Sequence, residues 1–201
     1  TSWITKTGRI VTSIPSASQR NHVIVETFKG ANRLTPKGEQ PSSVAVNYFA
    51  GNHAANWHTS VATFQRIVFS DAYPGIDIEL QAHRDSIEKI FAVRPGGNPS
   101  NISVRVSGVQ EIVSNDSGGL TLLTGQGAAH LSRPLAYEIS EIGRRPVQVA
   151  YRLTKDGYGF KVGKYDRRNA LLIDPVLQTT YLGTSLDDSG RAIARNPTTG
   201  D

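Results

Sequence analysis

The residue pattern predicts an all-β fold, an antiparallel β-sandwich built as one large or two small sandwich units. Three observations lead there. Apolar residues recur with a period of two in short runs, as half-buried strands require. Nineteen Gly and ten Pro punctuate those runs. No stretch shows the 3.6-residue periodicity of an amphipathic helix.

Trp3-Ile4-Thr5 and Arg9-Ile10-Val11-Thr12 flank Lys6-Thr7-Gly8 and read as a hairpin. His22 to Phe28 alternates through Val23, Val25 and Thr27, the set expected to face inward. Lys29 to Ser43 contains two Pro and two Gly and is expected to be a long surface loop. Ser86 to Val93 favours a strand, stopped by Pro95-Gly96-Gly97-Asn98-Pro99. Ile102, Val104 and Val106 share one face of the next strand. Shorter runs follow at Val109 to Val113, Leu120 to Thr124 and Ala129 to Leu131. Leu135 to Ile142 alternates through Leu135, Tyr137 and Ile139. Val147 to Leu153 alternates as well. Asp156-Gly157 is the strongest hairpin signal, leading into Tyr158-Phe160-Val162. Leu171 to Ile173 ends at Asp174-Pro175.

The stretch Val46 to Leu80 holds one of the two Trp, three of the six Phe and two of the seven Tyr. Large aromatics dominate core energetics, so this block is expected to be what the other strands pack on. A strand over Val61 to Phe69 and another over Ile76 to Leu80 are expected to pair through Asp71-Ala72-Tyr73-Pro74-Gly75. Pro presets the first central turn residue, and Gly tolerates positive φ at the next.

Composition narrows the function classes. The chain has 201 residues and no cysteine, which excludes disulfides, thiolate zinc sites and a Cys nucleophile. No apolar run approaches the roughly eighteen residues of a membrane helix. The net charge of +5 is scattered rather than clustered. Nucleic-acid binding calls for a basic patch with aromatic platforms, and none is present.

Several phrases carry a family resemblance: VNYFAGNHAANWHTSV (46–61), RIVFSDAYPGIDIEL (66–80), GQGAAHLSRPLAYE (125–138), VGKYDRRNALLIDPV (162–176) and TTYLGTSLDDSGRAIA (179–194). In this order they resemble the N-terminal β-rich domain that precedes β-propeller-type (SBBP-like) repeats in large bacterial and archaeal cell-surface proteins. The residue pattern sets off an N-terminal hairpin, strand and long-loop region over 1–43, and the resemblance, which covers roughly residues 44–195, implies a sandwich core over 44–176. The resemblance also implies the beginning of a propeller-type repeat, or an exchanged tail, over 177–201. It further implies an extracellular or cell-surface location and no catalytic residues.

Asp71, Asp77 and Glu79 lie near His83 and Asp85, an acidic cluster that a divalent metal or a solvent-facing strand would explain. Asp187-Asp188-Ser189-Gly190 resembles part of a calcium loop but lacks the distal Glu. No G-x-S-x-G nucleophile turn occurs. No cofactor or metal site is expected. Trp57 either plugs the end of the core or, with Asn52 and His58, forms a stacking platform for a glycan.

The expected function is a non-enzymatic structural or adhesion module of a cell-surface protein, self-assembling through strand exchange into a filament. Its expected partners are other copies of itself or matrix components. The alternatives are a carbohydrate-binding domain using the Trp57 loop and the non-catalytic part of a secreted hydrolase.

Overall fold

A computed structural model describes residues 2–14, 21–83, 86–174 and 177–178. In chain order the strands are β1 (Ser2–Ile4), β2 (Ile10–Ile14), β3 (His22–Phe28), β4 (Lys37–Phe49), β5 (Trp57–Tyr73) and β6 (Ile76–His83). Then come β7 (Ser86–Val93), β8 (Ser103–Ser107), β9 (Glu111–Ser114), β10 (Leu120–Thr124), β11 (Gly127–Leu131) and β12 (Leu135–Ser140). The last are β13 (Gly143–Pro146), β14 (Val149–Thr154), β15 (Gly157–Val162), β16 (Ala170–Asp174) and β17 (Leu177–Gln178). The helical segments among the described residues are two 3₁₀ turns, Ala54–Asn56 and Pro99–Asn101. Among the described residues no helix is long and apolar enough to cross a membrane.

The strands form three antiparallel sheets. A six-stranded sheet runs β1-β2-β3-β8-β15-β14, a four-stranded sheet β17-β11-β10-β9 and a seven-stranded sheet β13-β12-β16-β7-β6-β5-β4. One hydrophobic cluster draws on all three: Ile24, Phe28, Val104 and Phe160 from the first, Leu120 and Leu131 from the second, Phe69, Ile78 and Phe91 from the third. Phe91 meets Phe28 edge to face at 6.2 Å and Phe160 at 5.4 Å. Those contacts hold the six- and seven-stranded sheets together in a sandwich-like arrangement, since such aromatic pairs add to the burial of their area.

The expected pairing of the two central strands is present. Arg66 to Phe69 of β5 pairs with Ile78 to Gln81 of β6, and Tyr73 faces Ile76 across Pro74-Gly75. Gly75 has φ +73°, as the second central residue of this turn requires. The turn is shorter than expected, because β5 continues to Tyr73 through a bulge at Asp71, where φ is +52°.

Other expectations need correcting. The segment 29–43 is not one long loop, since β4 begins at Lys37. The boundary expected between residues 43 and 44 falls inside β4, and the N-terminal strands share a sheet with β8, β14 and β15. In β3 the buried face is Ile24, Glu26 and Phe28, not Val23, Val25 and Thr27. In β12 it is Ala136 and Glu138, not Leu135, Tyr137 and Ile139. A strand's two faces differ by one residue of register, and in both strands the inward face contains a glutamate.

The hairpin turn expected at Asp156-Gly157 lies one residue earlier, because Gly157 already pairs with Thr154. Gly157 serves a different purpose. A Cβ there would stand 1.9 Å from the Val104 carbonyl oxygen, so β15 approaches β8 more closely than any side chain allows.

The largest correction concerns the Val46 to Leu80 block. Its second half is core: Phe69, Tyr73, Ile76, Ile78 and Leu80 are buried. Its first half is not. Among the described residues, β5 pairs with β4 alone between Trp57 and Gln65, as β6 joins β5 only from Arg66 onward. The two strands therefore form a two-stranded arm continuing past the third strand of their sheet.

Candidate functional site

Two places concentrate unusual side chains, the arm and a polar group inside the core.

The arm is built on an irregular ladder. Register shifts occur between Pro41 and Ala45 and between Val46 and Tyr48. Gln40 and Ser60 have φ of +54° and +56°. The Ser60 amide donates to Asn47 Oδ1 at 2.9 Å, which anchors the second irregularity. Bulges of this kind increase local twist and re-aim side chains. Between Gln40 and Gln65 the sequence contains no Asp, Glu, Lys or Arg, although the chain has 22 Lys and Arg and 17 Asp and Glu. Edge strands are commonly guarded by charge, and this one is not. Val44 is 61 % exposed, Phe49 59 % and Trp57 44 %.

At the tip, Phe49 and Trp57 are cross-strand partners with their rings at 89°. Trp57 Nε1–H donates to the Gly51 carbonyl at 3.1 Å, which ties the indole to the turn. Trp57 therefore does not plug the core. Asn52 is exposed in the same turn. His58 follows Trp57 in β5 and pairs with Tyr48, so it leaves the strand on the opposite face. Of the three residues expected to form a ligand platform, the tip brings Asn52 and Trp57 together and sends His58 away.

The acidic cluster around Asp71 is occupied by arginines. Arg94 bonds to Asp71 and lies 3.5 Å from Asp77, whose Oδ1 also accepts from the Asp71 amide at 2.6 Å. Arg66 binds Glu79 at 2.9 Å and Glu39 at 2.8 Å. Among the described residues no three His, Asp or Glu side chains are grouped to hold a metal. Asp85 and the Asp187-Asp188 turn lie outside the described residues, as does the His83 side chain.

A shallow surface hollow beside β12 and β13 is lined by Glu138, Arg145 and Asn169 among others. Asn169 donates to Glu138 Oε1 at 2.7 Å, and Arg145 bonds to Oε2. Chiefly through the Asn169 bond, the Glu138 carboxyl is held below the ordinary glutamate range. Its two oxygens tie β12 to Arg145 of β13 and to Asn169 just before β16.

The second place was missed at the level of sequence. On the inward face of β7 the order is Ile87, Lys89, Phe91, Val93, all buried. A lysine in that row is the signal that was available. Lys89 is 2 % exposed and Glu26, reaching from β3, is 3 % exposed. Lys89 Nζ donates to Glu26 Oε1 at 2.6 Å, and Tyr158 OH donates to the same oxygen at 2.7 Å. The ammonium also lies 5.5 Å from the centre of the Tyr158 ring. Burial first, then the Glu26 charge, pushes the Tyr158 phenol far up from its ordinary range, so it remains a donor. The same causes raise Tyr151.

The geometry defines an antiparallel all-β module with a protruding uncharged arm and a buried polar tie between its two larger sheets. Residues 5–176 match the model of a family described as a domain of unknown function, DUF7948, and the chain belongs to that family. No curated protein and no solved structure matches the chain.

Proposed function

We propose that this chain is a non-enzymatic structural and adhesion module of a cell-surface protein, folded as a β-sandwich, with the β4–β5 arm as its contact element. One observation carries the reading: the arm is uncharged from Gln40 to Gln65 yet exposes Val44, Tyr48, Phe49 and Trp57. Elements of that kind associate with other chains, by strand addition or by burying their aromatics. The extracellular setting rests on the ordered phrases shared with domains that precede propeller-type repeats. In this reading residues 177–201 open such a repeat or form an exchanged tail. The partners are other copies of the chain or matrix components, and repetition of the contact builds a surface filament. β1 to β3 already pair within the chain's own sheet. That favours the arm over the N-terminal hairpin as the exchanging element.

Sedimentation of the chain over a range of concentrations tests this. The wild type should associate reversibly, and the Val44→Lys/Phe49→Lys double variant should stay monomeric. Equal association by both would overturn the assignment to the arm.

A second reading is favoured by the exposed Trp57 indole beside Asn52. A neutral glycan would stack on the ring and bond to the amide. A monomeric wild type that binds neutral glycans, with binding lost in Trp57→Ala, selects it.

A further inference from the structure

Glu26, Lys89 and Tyr158 meet inside the core, and their geometry suits more than a salt bridge. Removing two full charges from water costs more than their attraction returns unless every remaining lone pair and proton is satisfied. The described contacts converge on a single oxygen, Glu26 Oε1, which takes both the Lys89 and the Tyr158 bonds. With the proton of the ammonium moved to Oε2, a free amine stands against a carboxylic acid whose Oε1 keeps the Tyr158 bond. A nucleophile held in contact with an electrophile, away from water, has the high effective concentration of an intramolecular reaction.

We propose that Glu26 and Lys89 are the site of a self-generated covalent modification, an isopeptide bond joining β3 to β7. Nζ lies 2.6 Å from Oε1, and the carbon to be attacked is one bond further on. The Nζ lone pair adds to Cδ of the protonated Glu26 carboxyl. Negative charge develops on Oε1, where the Tyr158 hydroxyl already donates at 2.7 Å, as an oxyanion-stabilising group should. An Nζ proton passes to the other carboxyl oxygen, which leaves as water. One C–N bond forms, one C–O bond breaks and one water is released. The reaction consumes no oxidant, cofactor or activated donor.

The product removes both buried charges and leaves a neutral amide whose carbonyl accepts from Tyr158. It also ties the six-stranded sheet to the seven-stranded sheet covalently, because β3 belongs to one and β7 to the other. Separating those sheets by force would then require breaking a bond.

The test is an intact-mass measurement on the folded, purified chain after denaturation. The wild type should be lighter than its sequence mass by one water. Proteolysis should release one branched peptide containing Glu26 and Lys89. Lys89→Met should restore the full sequence mass and lose the branched peptide. Glu26→Gln retains an acyl group for the amine, so its deficit should become one ammonia. Tyr158→Phe should slow the appearance of the deficit after refolding. A folded wild type at full sequence mass without a branched peptide overturns the proposal. So does a water deficit that persists in Lys89→Met. The outcome is independent of what the arm binds.

Discussion

Phe49 and Trp57 face each other across the end of the arm, ring centroids 5.4 Å apart, with solvent on the sides that a core tryptophan would bury. The contact is local to the hairpin. Trp57→Ala should therefore lower stability by only about 1 kcal/mol, the worth of one exposed aromatic pair. Thermal unfolding by circular dichroism measures this, and a midpoint lowered by more than about 10 °C would show that the indole supports the body of the fold.

Phe91 is in the reverse situation. It is fully buried on β7 and touches Phe28 and Phe160 on the facing sheet. Phe91→Ala should cost about 3–5 kcal/mol, from lost transfer energy plus the cavity left behind. Urea unfolding at equilibrium checks the value, and a loss under about 1 kcal/mol would contradict the inter-sheet contact.

Gly157→Ala should destabilise by about 3 kcal/mol, since its methyl would meet backbone rather than a yielding side chain. The nearest atoms are the Val104 carbonyl at 1.9 Å and Arg105 Cα at 2.8 Å. Gly125→Ala, whose nearest neighbour is the Gln110 side chain at 3.6 Å, provides the comparison and should cost less. Equal losses in the two variants would show that β8 and β15 are farther apart than described.

Asp166 accepts from the Arg168 side chain and backbone amide, which lower its pKa to about 2. A depressed folded pKa means the deprotonated form is favoured by folding. Its contribution is present above the ordinary aspartate range and is lost as pH falls toward 2. The site is at the surface, so the effect on global stability is small. Carbon-detected NMR titration of the carboxyl should give a midpoint near 2. Arg168→Ala should move that midpoint up toward the ordinary range. An unchanged midpoint in the variant would remove Arg168 as the cause.

Local chemistry in the sequence was enough to establish the all-β class and most strand positions. Pro74-Gly75 turns β5 into β6, Gly125-Gln126 turns β10 into β11, and Ile102, Val104 and Val106 are buried together as their spacing implies. Periodicity and turn residues act over a few positions, so a single sequence contains them in full. Which face of a strand turns inward was legible only where apolar residues sat on one side. In β3 and β12 the alternation pointed to Val23, Val25 and Thr27 and to Leu135, Tyr137 and Ile139, the faces opposite Glu26 and Glu138. Tertiary structure decided otherwise. Lys89 and Tyr158 lie 63 and 132 positions along the chain from Glu26, yet they satisfy its carboxylate inside the core. At the surface hollow, Asn169, 31 positions from Glu138, shares its carboxylate with Arg145 from the neighbouring strand β13. The exposure of Trp57 was settled the same way, by where β6 joins β5. A charge can be buried only where its partners converge, and an aromatic only where another sheet covers it. Both conditions depend on contacts between residues distant in sequence, which local pattern does not record.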